Sequence, residues 1–356
     1  MSACPHTEQF LLEQLSRRPA SQLQDLRKAL YQSAFGCGHL VEDPSAAADW
    51  IRREAAESAS ADQEVERLDG PWSRVPLGML ADGLTPETLA AAFAASAAIP
   101  GEDTHGLEQR LETLLALIRD RKLPFSLSDA EAEINAWRAA GYPACHHSDA
   151  YRAAYRPAYR VLHKRYVRLL PLLAAIDHAL ASKPRVLLAV EGGSASGKST
   201  LADLLAGLYP DSAVFHADDF FLRPEQRAEA RYVQPGGNLD RERLEAEILS
   251  PISRGEDAEY RPFDCHTMSL GASRHSRIAR LNVVEGAYSL HPELAHYYDL
   301  SIFLEISPET QHRRVLERNG PEWGQRFFER WIPLENTYHE ATRTAERCTL
   351  RLEEEP

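Results

Sequence analysis

Arg185-Val-Leu-Leu-Ala-Val-Glu-Gly-Gly-Ser-Ala-Ser-Gly-Lys-Ser-Thr200 is the stretch on which the fold of this chain turns. Within it, Gly192-x-x-x-x-Gly197-Lys198-Ser199 fits the phosphate-binding loop pattern G-x-x-x-x-G-K-[ST]. That pattern also arises by chance, so its surroundings decide. Val186 to Val190 is an unbroken apolar run, as a parallel strand buried on both faces requires. Behind the loop, Leu201, Leu204, Leu205 and Leu208 recur at helical spacing. Strand, glycine loop and helix stand in the required order. Gly192, Gly193 and Gly197 let the backbone turn tightly, and with Ser194, Ala195, Ser196 and Thr200 they form a cradle of N–H groups for phosphate oxygens. The following helix adds the positive end of its dipole. In such a loop Lys198 reaches the β and γ phosphates and Ser199 ligates magnesium. A bound nucleoside triphosphate is the expectation.

The chain around this loop has 356 residues, enough for two domains, and at 44% hydrophobic and 26% charged its composition is that of an ordinary globular protein. A formal net charge of -13 argues against a general nucleic-acid binder. No apolar run approaches membrane-spanning length, and the N-terminus lacks the basic and apolar regions of a secretory signal. Cys4, Cys37, Cys145, Cys265 and Cys348 are scattered and odd in number, which reads as free thiols in a reducing cytoplasm. The expected partner is a small-molecule acceptor, with a homo-oligomer left open and neither nucleic acid nor membrane expected.

Residues 1–182 read as an all-α domain of unassigned role. Ser21 with Gln24 makes a capping box ahead of Leu23, Leu26 and Leu30. Asp43-Pro44 and Thr85-Pro86 are helix starts, and Leu107, Leu111, Leu114, Leu115 and Ile118 form an apolar stripe. Ser128 with Glu131 opens another helix that Gly141 closes. Phe35-Gly-Cys-Gly-His39 breaks two helices. Cys37 and His39, with Cys145, His146 and His147, match no zinc spacing, and a tight interhelix turn is expected instead. Between Tyr151 and Arg168, basic residues (Arg152, Arg156, Arg160, Lys164, Arg168) and tyrosines (Tyr151, Tyr155, Tyr159) recur every fourth residue. Basic residues interleaved with tyrosines bind phosphates or stack bases, but such a row is more often a solvated face paired with acids. Pro157 kinks or splits any helix there, and contact of this segment with the second half is left open.

Ala181 to Pro184 is the expected junction, with the second domain at 183–356. After the loop, Ser212–Ala217, Leu281–Val284, Leu300–Ile306 and Cys348–Leu352 read as strands alternating with helices, hence a mainly parallel sheet flanked by helices. Ligands bind such a sheet beyond the carboxyl ends of its strands. Gly192, Asp218 and Glu285 all fall at such ends. Asp218, or less favourably Asp219, is the candidate to accept a hydroxyl proton, and Glu285 the candidate to hold magnesium directly or through water. Arg314 and Arg318 lie one turn apart, Asn319-Gly320-Pro321 breaks their helix, and Arg326 and Arg330 repeat the spacing, as a lid over phosphates requires.

Glu191-Gly-Gly-Ser-Ala-Ser-Gly-Lys-Ser-Thr200, His216-Ala-Asp-Asp-Phe-Phe221 and Val283-Val-Glu-Gly-Ala-Tyr288 together resemble the uridine kinase family, over about residues 185 to 345. That family belongs to the wider group of P-loop kinases that includes phosphoribulokinase and pantothenate kinase. The resemblance implies a P-loop NTPase-type α/β domain and ATP- and magnesium-dependent phosphorylation of a hydroxyl on a small metabolite, a nucleoside first. It implies Asp218 as base, Glu285 serving magnesium, and Arg314 and Arg318 as lid arginines. Tyr260-Arg-Pro-Phe-Asp264-Cys-His266 resembles the family's substrate segment, which implies acceptor roles for Asp264 and His266 beside Asp219. One departure stands out. The family places a ribose-holding acid just after a proline, where Gln234-Pro-Gly-Gly-Asn-Leu-Asp240 has glycine and an extra residue. The alternatives carried forward are a kinase of another small metabolite, pantothenate- or phosphoribulokinase-like, and a nucleotide-dependent regulatory protein without acceptor chemistry.

Overall fold

The computed structural model of the protein describes residues 5–38, 44–57 and 64–353. The chain divides into two compact units, Met1–Ala174 and Ala175–Pro356. The division falls inside a helix, Leu170–Ser182, ahead of the expected junction. The later turns of that helix are tied to the second unit: Tyr209 donates to Asp177 at 3.0 Å and Arg280 to the Leu180 carbonyl at 2.9 Å.

The first unit holds helices α1 (Pro5–Arg17), α2 (Leu23–Phe35), α3 (Pro44–Glu57), α4 (Pro86–Ala97), α5 (Thr104–Arg119), α6 (Leu127–Ala139), α7 (Asp149–Tyr155) and α8 (Lys164–Val167), before α9 (Leu170–Ser182). It is mostly helical, and it also carries an antiparallel sheet in the order β1 (Glu66–Arg67), β2 (Trp72–Pro76), β3 (Tyr159–His163). β3 lies in the middle of the Tyr151–Arg168 row, which therefore never forms one helix; the chain breaks ahead of it at Arg156-Pro157. Its tyrosines are consumed internally. Tyr151 stacks on His147 at 4.0 Å, Tyr155 accepts from the Ala20 amide, and the Tyr159 hydroxyl lies 2.7 Å from His147 Nε2. Arg152 and Arg160 pair with Asp149 and Glu54.

Leu107, Leu111, Leu114 and Ile118 are buried as a stripe, joined by Leu117, while Leu115 is only half-buried. Thr85 caps α4 as expected, accepting from the Thr88 amide at 3.2 Å. α2 starts one residue later than expected, with Gln22 at its cap and its amide donating to Asp25 at 2.9 Å. α6 is capped by Ser126 rather than Ser128, because Ser126 Oγ takes the Asp129 amide. Asp43 and His39 lie outside the described residues. The Phe35-Gly36-Cys37 turn is tight: Gly36 has φ 61°, and a Cβ there would sit 2.5 Å from the buried Trp72 ring.

In the second unit five strands form one parallel sheet, β4 (Val186–Gly192), β5 (Ser212–His216), β10 (Leu281–Glu285), β11 (Leu300–Leu304) and β12 (Leu350–Leu352), in the order β12-β11-β4-β10-β5. The expected α/β phosphate-loop architecture is the one found. Helix α10 (Lys198–Leu208) follows the loop. Three short helices, α11 (Glu229–Tyr232), α12 (Arg241–Leu244) and α13 (Ser250–Arg254), and two small hairpins, β6 (Ala258–Tyr260) with β9 (Arg274–Ser276) and β7 (Phe263–Asp264) with β8 (Ser269–Leu270), fill the stretch between β5 and β10. Helices α14 (Pro308–Arg326), α15 (Ile332–Thr342) and α16 (Thr344–Arg347) complete the unit. Phe215, Phe220, Leu239, Leu244, Ile248, Tyr260, Val284 and Tyr288 pack into a core between the sheet and this inserted stretch. Each fully buried large side chain there contributes about 1.5–3 kcal/mol. That core fixes the strand ends from which the site is built.

Candidate active site

The loop between β4 and α10 begins from a buried strand and ends in a free helix terminus. Gly192 (φ 145°) and Gly197 (φ 97°) take backbone angles that side-chain-bearing residues avoid. A Cβ on Gly192 would also lie 2.6 Å from the Leu304 carbonyl of the neighbouring strand. Lys198 opens α10 and its ammonium donates back to the Gly193 carbonyl at 2.9 Å, holding the charge over the loop. Ser199, one residue on, donates to Glu285 Oε1 at 2.9 Å.

Parallel register brings the other groups to the same edge. Glu285, the last residue of β10, pairs with Val190 of β4 on one side and His216 of β5 on the other. His216 Nδ1 lies 2.6 Å from the same Glu285 oxygen, and this bond raises the imidazole's pKa. Asp218 follows β5 in a single 3-10 turn, Ala217–Phe220. It is solvent-accessible, with Lys198, Glu285 and Glu335 near enough for their charges to act on it. Burial among those neighbours lifts its carboxyl to about 6; Lys198 opposes the rise, and the charges of Glu285 and Glu335 add to it. Burial also raises Asp219, whose carboxylate faces Arg274 at 3.5 Å.

Ser199 Oγ and Glu285 Oε1 are hard oxygen donors side by side, the partial set from which Mg2+ is held when phosphate oxygens and water supply the rest. The residues fit that ion, with His216 Nδ1 holding the same Glu285 oxygen in place.

Of the two arginines expected to form a lid, Arg314 reaches the loop, with Nη1 donating to the Ala195 carbonyl at 3.3 Å. Arg318 instead lies over the Phe327 ring at 5.5 Å. The expected break is present: Gly320 has φ 71° and ψ 173° inside α14, with Pro321 next. Asp264 accepts the His266 amide at 2.7 Å and closes the β7–β8 turn, so that oxygen serves the hairpin itself; both residues are exposed. Cys265 at the hairpin tip, raised first by burial, also feels the Asp218 and Asp219 charges. In the altered segment, a Cβ on Gly236 would meet His291 at 2.8 Å and Tyr338 at 3.0 Å. No acidic side chain has room there. Asp240 caps α12 through Oδ1, leaving Oδ2 buried and unpaired.

Several residues at the site carried no sequence signal strong enough to single them out. Glu335 on α15 accepts from the Ser194 amide at 2.7 Å and the Ser194 hydroxyl at 2.6 Å. It lies 141 residues from its partner, so no local pattern marks it. Gln311 donates to the Ser194 carbonyl at 2.9 Å, and its place one turn before Arg314 could have revealed it. Glu191 was visible as an acid ending an apolar strand. It is fully buried and accepts from the Gly192, Tyr288 and Leu290 amides at 3.0, 3.2 and 3.0 Å. Burial raises its carboxyl to about 7 against the pull of those bonds. His147, among the cysteine and histidine candidates, has both ring nitrogens engaged, by Asp25 and Tyr159. Among the described residues no cluster of three or more metal-ligating side chains occurs, and no helix is long and apolar enough to cross a membrane.

No protein-family model matches the chain, and no curated protein does. Solved structures similar in part include a possible uridine kinase from Bacillus stearothermophilus, 18% identical, covering 51% of this chain and 99% of that one at a TM-score of 0.39. A provisionally assigned fructose transport system kinase from Silicibacter sp. TM1040 is 23% identical, covering 47% and 89% at a TM-score of 0.34. TT1252 from Thermus thermophilus is 20% identical, covering 49% and 91% at a TM-score of 0.27. These similarities are too low to assign any residue a role, so the site rests on the geometry of this chain's own loop and strand ends.

Proposed function

We propose that the protein is an ATP- and magnesium-dependent kinase acting on a hydroxyl group of a small metabolite. One observation carries this reading: Lys198, the Ser199–Glu285 pair and Asp218 meet at the carboxyl ends of three adjacent parallel strands. A phosphate loop alone serves hydrolysis or switching equally well. A carboxylate beside it, half-protonated near pH 6, is what acceptor chemistry adds.

In this reading the loop amides and Lys198 hold the triphosphate, and Ser199 and Glu285 would hold a magnesium ion, which would supply neutralisation of phosphate charge. The acceptor hydroxyl gives its proton to Asp218 as its oxygen bonds to the γ-phosphorus. The bond to the β-phosphate oxygen breaks, and ADP leaves. Arg314, at the loop's rim, offsets charge on the transferred group. Little covalent help is required of the protein; position and charge do most of the work.

The sequence resemblance favours a nucleoside as acceptor, with pantothenate- and sugar-phosphate-like acceptors as alternatives. The closed space at Gly236 removes the ribose-holding acid, so the acceptor is gripped by other groups. A screen for ADP release over nucleosides, pantothenate and sugar phosphates tests the proposal. One acceptor stimulating ADP release well above the background is the expected result. Slow release that ignores the acceptor across the whole panel would sink it.

A further inference from the structure

Glu335 is 6% exposed, and its two carboxylate oxygens take the amide and the hydroxyl of Ser194, inside the phosphate loop. Neither donor is cationic. A buried carboxylate held by neutral donors keeps part of its field, since little water screens it and the cations on the same loop, Lys198 and Arg314, are bonded to the Gly193 and Ala195 carbonyls. That field points where phosphates bind. A Cβ on Gly193 would lie in ordinary contact with Glu335 Oε2, at 3.9 Å, and 2.9 Å from the movable end of Gln311, so both side chains lie against the loop. Glu335 also acts on Asp218 and Tyr288, since its charge contributes to their raised pKa values, after burial in each case.

A binding loop lined with donors gains from any phosphate, metal-bound or not. A carboxylate at its edge opposes the more highly charged ligand most. Metal-free ATP carries more negative charge than the magnesium complex, so the repulsion falls hardest on it.

We propose that Glu335 is a specificity-determining residue of the phosphate loop, making it favour the magnesium-bound triphosphate over the metal-free one. The proposal rests on the nucleotide-binding part of the kinase reading and adds a role for a residue outside the loop pattern. It differs from simple bracing of the loop. A brace, when removed, weakens both ligand forms alike; a charge filter, when removed, strengthens the metal-free form selectively.

The test is calorimetric titration of the full chain with a non-hydrolysable ATP analogue, without acceptor, once in excess Mg2+ and once in chelator. Glu335→Gln and Glu335→Ala both remove the charge, and either one that keeps the wild-type circular dichroism spectrum decides the matter. Expected is about tenfold tighter binding of the metal-free analogue, with a change of less than about threefold for the Mg2+ form. Ser194→Ala keeps the charge and the amide bond, and holds the wild-type ratio of the two affinities. Equal weakening of both forms in the Glu335 variants overturns the proposal in favour of bracing. Collapse of the ratio in Ser194→Ala overturns it too. Absence of binding by the wild-type chain in both conditions is a separate result: the nucleotide reading itself then fails, and this inference with it.

Discussion

Asp218 has a carboxyl lifted to about 6 by burial, and that sets when it can take a proton. Below that pH it is protonated and cannot accept one; above it the carboxylate is free. Acceptor-dependent turnover should therefore rise with pH through an acid limb bending near 6, read from kcat/KM between pH 5 and 8. Lys198→Ala should abolish turnover, within detection, with an unchanged circular dichroism spectrum, since the ammonium donates to the loop's own Gly193 carbonyl rather than bracing a distant element. Both residues were legible in the sequence because each stands at fixed spacing from a recognisable strand. Glu335 was not. Its significance arises wholly from a contact with Ser194 made by folding, and no window of sequence contains both. Arg318 shows the reverse. Helical spacing placed it correctly beside Arg314, but its side chain lies over Phe327.

Elements differed in legibility for physical reasons. The central strands of the parallel sheet, β4, β10 and β11, are mostly apolar, hence readable, since their burial leaves little room for polar residues, while the edge strands β5 and β12 are only half-buried. The β1–β2–β3 sheet escaped notice because β1 has two residues and β3 sits inside a helix-like repeat of basic residues and tyrosines. Buried charge stabilises that sheet. Arg74 of β2 is 3% exposed and donates to Glu66 of β1 at 3.2 Å, while Arg18, just after α1, donates to Glu66 at 2.6 Å. Burial pushes the Glu66 carboxyl up, and the two arginines more than reverse this, holding it at about 2. A carboxylate lowered on folding contributes stability at pH above its unfolded value, and that contribution disappears as pH falls through about 2. Glu66→Ala leaves Arg74 buried without its partner and should cost about 3–5 kcal/mol, seen as an earlier thermal transition at neutral pH. In the inserted stretch of the second unit, a Cβ on Gly237 would sit 1.8 Å from the Arg231 carbonyl. Gly237→Ala should destabilise by about 1–3 kcal/mol in thermal melts, through forced backbone movement.

The whole chain comprises two compact units, and the phosphate loop, Asp218, Glu285 and Glu335 all belong to Ala175–Pro356. An ATP analogue with magnesium, at about a hundred times its dissociation constant, adds roughly 2.7 kcal/mol to whatever unit binds it. The melting transition of that unit should rise by roughly 5–10 °C in scanning calorimetry, and Lys198→Ala should remove the shift. The central claim is phosphoryl transfer to an acceptor, rather than binding or hydrolysis alone. It is tested most directly by acceptor-dependent ADP release from wild type and Asp218→Asn side by side, with ATP-analogue affinity measured on both. The account predicts that Asp218→Asn keeps its affinity within a few-fold and loses about two to four orders of magnitude in acceptor-dependent rate. Near-wild-type transfer by Asp218→Asn to the acceptor that stimulates ADP release would contradict it.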